Sequence, residues 1–240
     1  MLKPDMKRFY REVTVASTPD DVQDAAGFRV LLDGRQVKSP SGRTLAVPTP
    51  KLAEAMAEEW DAQEEKILPA TMPLTQLSFT AIDRIAPEQE DVAARIAKYG
   101  ETDLLCYRAE SPADLVKRQA GAWDPLLAWA GDELGARLSV TGGILPVSQP
   151  EAALKALSAA VRELEPFRLT ALASVVQAAG SLIVGMALVR GHLTAEGAIE
   201  ASQLDESYQS EKWGEDKESV ERLKGLQAEI SQAETFLGLL

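Results

Sequence analysis

Phe28-Arg29-Val30-Leu31-Leu32-Asp33-Gly34-Arg35-Gln36-Val37-Lys38 and, a little further on, Thr49-Pro50-Lys51-Leu52-Ala53-Glu54-Ala55-Met56-Ala57-Glu58-Glu59-Trp60 decide the fold of this chain. In the first stretch, β-branched and aromatic residues flank Asp-Gly, a favoured two-residue hairpin turn. In the second the period becomes helical. Thr49 is placed to cap, Pro50 suits the first helical position, and Leu52, Met56 and Trp60 recur every fourth residue on one face. Upstream, Arg8 to Ser17 also has strand character, and Asp20 to Ala26 reads as a polar loop. Ser41-Gly42 turns the chain into a further strand, Thr44 to Val47. Together these make a meander of about four strands, too small to be stable without something packed on it. The expected class is therefore α+β, with a small N-terminal antiparallel β domain over residues 1–48 and a larger, mostly α-helical domain over 49–240.

Downstream, helical faces follow one another between proline and glycine breaks. Leu74, Leu77, Ala81, Ile82 and Ile85 form one, and Val92, Ile96 and Tyr99 another, stopped by Gly100. Thr102 to Arg108 is too short to assign between strand and helix. A helix starts at Ser111-Pro112 and passes Leu115 and Trp123, with Asp124-Pro125 bending or restarting it. Arg137 to Ile144 is a short strand or loop, and Pro150 opens a helix with Leu154, Leu157, Val161 and Leu164 inward. Between Arg168 and Arg190 no residue is charged, a length that can span a bilayer. Thr170, Ser174, Gln177, Gly180, Ser181, Gly185 and the alanines of this run favour a buried central helix instead. Thr194 is placed to cap a last helical region running through Val220, Leu223 and Ile230, with a bend at Gly214.

Composition narrows the function. With 45% hydrophobic and 26% charged residues, a chain of 240 residues is an ordinary globular protein. Its formal net charge of -12 is uneven: residues 1–48 carry 8 bases against 6 acids, whereas residues 196–240 carry 4 against 11. Nucleic-acid phosphates and anionic lipid repel such a chain, so neither is an expected partner. The single cysteine, Cys106, rules out an internal disulfide and has the apolar flanks of a core residue. Met1 to Tyr10 contains no apolar stretch of signal-peptide length, so export is not expected.

Enzyme motifs are scarce. The chain has no phosphate-cradling glycine loop, dinucleotide fingerprint or nucleophile elbow. His192, the only histidine, sits in a polar break, which excludes zinc sites built from several imidazoles. No cofactor is expected. The acidic segment Leu204 to Glu218 is more informative. Asp205, Glu206, Glu211, Glu215, Asp216 and Glu218 surround Tyr208 and Trp213. Large rings among carboxylates gain nothing from water but suit an interface. A competing reading makes Asp205, Glu206 and Glu211, with His192, a carboxylate or metal-dependent hydrolase site, and Glu211, Glu215 and Glu218, spaced four and three apart, would share a helix face on which a hard cation could bind.

Several strings resemble, in the expected order, the assembly chaperones of the ATP synthase F1 alpha subunit. They are Gly27-Phe28 with Leu32-Asp33-Gly34-Arg35, Lys38-x-Pro40, Pro48-Thr49, Leu52-Ala53, Glu59-Trp60-x-x-Gln63, Met72-Pro73-Leu74-Thr75 and Thr80-Ala81-Ile82-Asp83. Further on come Thr102-Asp103-Leu104-Leu105-Cys106-Tyr107-Arg108, Trp123-Asp124-Pro125-Leu126, Gly180-Ser181-Leu182, Glu206-x-x-Gln209 and Trp213-Gly214-x-Asp216-x-Glu218. The resemblance implies a β-rich domain followed by a helical one. It also implies a non-enzymatic chaperone that binds the unassembled alpha subunit, prevents its aggregation and hands it on for pairing with beta. Relatives in eukaryotes work in the mitochondrial matrix. With no Arg/Ser-rich leader in the sequence, a bacterial cytoplasmic member is expected here, and the free protein is expected to be monomeric. The expected partner contacts are Glu206, Tyr208, Gln209, Glu211 and Trp213, with Asp216 and Glu218 as rim charges.

Overall fold

The computed structural model describes residues 6–17, 27–143, 145–214 and 217–240, and the expected loop Asp20–Ala26 lies outside them. Strand β1 (Met6–Lys7) pairs with β6 (Lys66–Ile67) antiparallel. β2 (Val13–Ser17) and β3 (Phe28–Leu32) form the main antiparallel ladder, from Val13 opposite Leu32 to Ser17 opposite Phe28. Asp33 and Gly34 both take positive φ, 47° and 75°, as a two-residue hairpin requires. The meander holds through the third strand, and the fourth departs from it by returning to β3. β4 (Arg35–Gln36) and β5 (Ala46–Val47) both pair with β3, one beside each half of it. The excursion between them is pinned from a distance. Ser39 Oγ donates to Asp83 at 2.6 Å and Ser41 N donates to the same carboxylate at 3.0 Å.

One face of this sheet presents Val30, Leu32 and Val47, all buried. Helix α1 (Pro50–Asp61) covers it with Leu52, Met56 and Trp60, whose exposure is 2% or less. Burying each of those side chains contributes about 1.5–3 kcal/mol. Thr49 caps as expected, its hydroxyl accepting from Leu52 N at 3.2 Å. A boundary at residue 48 thus falls between a sheet and the helix that buries it. The chain forms two compact units: residues up to Gln89 with 166–170 and 235–240, and residues 90–165 with 171–234.

Within the first unit, α2 (Pro73–Thr80) starts where Glu59 accepts from the amides of Leu74 at 2.7 Å and Thr75 at 2.8 Å. It widens into a π turn at Ala81–Ile85 and tightens again at Ala86–Glu88 before α3 (Gln89–Ala97). Pro87 has no N–H for the carbonyl of Asp83, and here the helix changes pitch around that gap.

In the second unit, α4 (Ala113–Glu133) runs continuously through Pro125, so it does not restart there. Gly121, whose carbonyl loses its partner there, is exposed, so water can bond it. Thr102 to Arg108 resolves into a 3-10 turn at Leu104–Cys106 and strand β7 (Tyr107–Arg108), parallel to β8 (Thr141–Gly142). After α5 (Glu151–Arg162), the uncharged run forms two helices rather than one, α6 (Pro166–Ala179) and α7 (Leu182–Val189). Gly180, at φ 66°, ends the first. Ser181 caps the second by accepting from Val184 N at 3.1 Å. Every residue of α7 is buried, and no helix among the described residues is long and apolar enough to cross a membrane.

Asp103, fully buried, ties the 3-10 turn to the start of α7. Its carboxylate accepts from Leu105 N at 3.1 Å, Ser181 Oγ at 2.8 Å and Ile183 N at 3.0 Å. Burial raises its pKa and these hydrogen bonds oppose the rise. The last helical region is three helices, α8 (Ala195–Ser202), α9 (Leu204–Trp213) and α10 (Lys217–Gly238). Thr194 caps α8, accepting from Gly197 N at 3.3 Å, and Gly214 leaves the helix at φ 87°.

Candidate functional site

Helix α9 has two faces of different character. Asp205, Tyr208 and Lys212 recur at i, i+3 and i+7, and with Glu211 they turn toward α4. Gln119 Nε2 donates to Asp205 at 2.7 Å, Tyr208 Oη donates to Asp114 at 2.8 Å, and Lys212 pairs with Asp114 at 3.5 Å. Arg118 holds both oxygens of Glu211 at 2.9 Å. The Tyr208 ring is 4% exposed, with the Arg118 and Lys212 cations each 5.2 Å from its centre. One helix end further along, Trp123 Nε1 of α4 donates to the carbonyl of Ala201 at 2.8 Å.

This polar clasp perturbs its members. The bond from Tyr208 holds Asp114 below the ordinary carboxylate range, and the bond from Arg118 does the same to Glu211. Arg118 is raised in return, by its bond to Glu211 first. Tyr208 is the only buried residue of α9, so position on α4 is set by directional polar contacts rather than by apolar area.

The opposite face carries Glu206, Gln209, Ser210 and Trp213, at i, i+3, i+4 and i+7. Trp213 is 79% exposed. This face and the first turns of α10 enclose a cleft of about 510 Å³, with Val220 and Leu223 of α10 on its other side. Across it Arg222 reaches Glu206 at 3.9 Å, a loose pair whose side chains are 62% and 49% exposed.

Of the expected contacts, Glu206, Gln209 and Trp213 therefore gather on one open surface. Glu211 lies at its margin with its charge committed to Arg118. Tyr208 belongs to the packing of α9 on α4, because its spacing of five from Trp213 puts the two on different faces. Asp216 lies outside the described residues, as does the side chain of Glu218. The alternative hydrolase set is not assembled: Asp205, Glu206 and Glu211 each face a different partner, and His192 stacks on Trp129 at 5.0 Å. Among the described residues no three His, Cys, Asp or Glu side chains are grouped to hold a metal ion. Burial raises the Cys106 thiol to about 12, which keeps it protonated.

Asp114, Arg118 and Gln119 escaped sequence reasoning. They lie 86 to 94 residues from their partners, and a charged helix face carries no local sign of what it will meet.

The family model described as ATP12 chaperone protein matches residues 7–131. The mitochondrial protein atp12 of Schizosaccharomyces pombe is 29% identical over 229 residues, covering 88% of this chain and 75% of that protein. The crystal structure of Atp12 from Paracoccus denitrificans is similar at a TM-score of 0.92 and 42% identity, over 97% of each chain. That of the Atu1473 protein from Agrobacterium tumefaciens is similar at 0.87 and 39%, over 96% of this chain and 84% of the other. The α9–α10 cleft lies beyond the segment that the family model covers, whereas the structural likenesses span 96% or more of this chain.

Proposed function

The chain belongs to the ATP12 chaperone family, and from that premise we propose that it is an assembly chaperone of ATP synthase. Its client in this reading is the unassembled F1 alpha subunit, which it shields from aggregation and releases for pairing with beta. An unpaired subunit exposes the apolar surface it later buries, and exposed patches of that kind associate indiscriminately. A chaperone that covers the patch reversibly stabilises the free subunit by mass action without changing its fold.

The observation that carries the reading to this surface is Trp213. A tryptophan 79% exposed beside an open cleft loses by facing water and gains by meeting a partner. Glu206 and Gln209 share its face and supply orientation, and the acidic C-terminal segment sets approach rate and register more than affinity. Asp216 and Glu218 are assigned as rim charges on their sequence position. Tyr208 and Glu211 act by holding α9 in place.

The test is a binding titration of the intact chain against isolated alpha subunit, paired with light scattering of that subunit on dilution. Trp213→Ala is expected to cost about 2 kcal/mol or more of binding and Glu206→Lys to weaken it as well. Both variants should melt where the parent does, since neither side chain is buried. Affinity unchanged in both variants would remove this surface from the client contact.

A further inference from the structure

The two-faced character of α9 also specifies what the cleft accepts. The clasp face is saturated, with Asp205, Tyr208, Glu211 and Lys212 all engaged by α4. On the open face the carboxylate of Glu206 has a single cation at 3.9 Å, the limit of an ion pair. Glu211, by contrast, has both oxygens bound at 2.9 Å. A visiting cation thus finds one carboxylate available. Seven residues along the same face, Trp213 provides an exposed apolar surface, with the half-exposed Val220 and Leu223 across the cleft. Seven residues are two helical turns, roughly 10 Å along the axis. In sequence the segment is acidic, with seven acids and three bases between residues 204 and 223.

Resting on the client-binding reading above, we propose that the cleft takes a helical segment of the client. That segment carries a large apolar side chain for Trp213, Val220 and Leu223 and, two turns away, a Lys or Arg for Glu206. Arg222 is then an internal stand-in for the client's cation. It occupies Glu206 loosely in the free protein, offsetting that one carboxylate, and swings out when the client docks. Its exposure leaves it free to move, and its loose geometry makes displacement inexpensive.

The sign of one substitution distinguishes this role of Arg222 from a merely structural one. Removing a competitor tightens binding, so Arg222→Ala is expected to raise affinity about two- to fivefold, the range of an exposed ion pair. Glu206→Gln should lower affinity by a similar factor. In the Glu206→Gln background Arg222→Ala should have no further effect. Two probes are titrated against the full chain: the isolated F1 alpha subunit, and an alanine-glutamine helical peptide bearing one Lys and one Leu seven residues apart. A control peptide with Glu in place of Lys should bind more weakly. Affinity unchanged or lowered in Arg222→Ala for both probes overturns the proposal. If the alpha subunit fails to bind while the peptide follows the expected pattern, the identity of the client is wrong and the chemistry of the cleft stands. If the alpha subunit binds but is indifferent to both substitutions, and the peptide does not bind, the client stands and the cleft does not.

Discussion

Replacing Asp103 with Asn tests the polar contact at the centre of the second unit. The carboxylate accepts from Leu105 N and Ser181 Oγ on one oxygen and from Ile183 N on the other. Asn keeps one acceptor oxygen, so two donors remain served, but its NH₂ faces the Ile183 amide 3.0 Å away. A buried amide without an acceptor costs about 1–3 kcal/mol, and the amide group facing it is left unpaired as well. Asp103→Asn should therefore destabilise the protein by about 2–4 kcal/mol, read from urea unfolding.

The pH dependence carries a sign. Burial outweighs the three hydrogen bonds and raises the Asp103 pKa in the folded state, so the folded chain keeps this proton at pH values where the unfolded chain has lost it. The corresponding stability is fully present below the unfolded carboxylate value and fades as pH rises through the folded one. Asn does not titrate, so the stability gap between parent and variant should be largest below the ordinary carboxylate value and shrink as pH rises above it. A gap that widens with pH would mean that the three donors stabilise the ionised form more than burial penalises it, and would refute the assignment.

Two further expectations concern packing and reactivity. A methyl at Gly185 of α7 would lie 2.7 Å from Val176 Cγ2 and 2.9 Å from Leu172 Cδ1 of α6. Gly185→Ala should therefore cost about 1–2 kcal/mol despite the better helix propensity of alanine, because overpacking exceeds that gain; an equal or higher melting temperature would show that α6 yields. Cys106, buried and with its thiol at about 12, should not react with a thiol reagent at neutral pH until the chain unfolds, and rapid native-state labelling would contradict its placement.

Local chemistry explains which parts of the fold were legible. Asp33-Gly34, Thr49-Pro50 and Thr194 act through neighbours within three residues, so the hairpin, the start of α1 and the cap of α8 follow from sequence. The uncharged run between Arg168 and Arg190 was harder to read. A continuous apolar pattern cannot show that Gly180 adopts φ 66° and Ser181 begins a second helix. The open face of α9 was visible as residue types, but which aromatic is free depends on α4. Tyr208 and Trp213 are equivalent in sequence, and only Asp114 and Arg118 make the first a packed residue.

The strings that carried the family resemblance turn out to be joined in space. Glu59 binds the amides of Leu74 and Thr75, Asp83 holds Ser39 and Ser41, Asp103 holds Ser181 and Ile183, and Arg108 pairs with Asp124 at 2.9 Å. Each is a side chain closing a contact between segments distant in sequence, where a substitution strands a donor or a charge and small residues are required by geometry. Such pins identify a fold strongly and say little about a partner. The last two strings are different. Glu206-x-x-Gln209 and Trp213-Gly214 put their side chains on the open face of α9, where Trp213 packs against little and Glu206 is only loosely paired. Stability gives no reason for a tryptophan and a carboxylate there, so the argument for function rests on those residues, and the sign of the Arg222→Ala effect is its most direct measure.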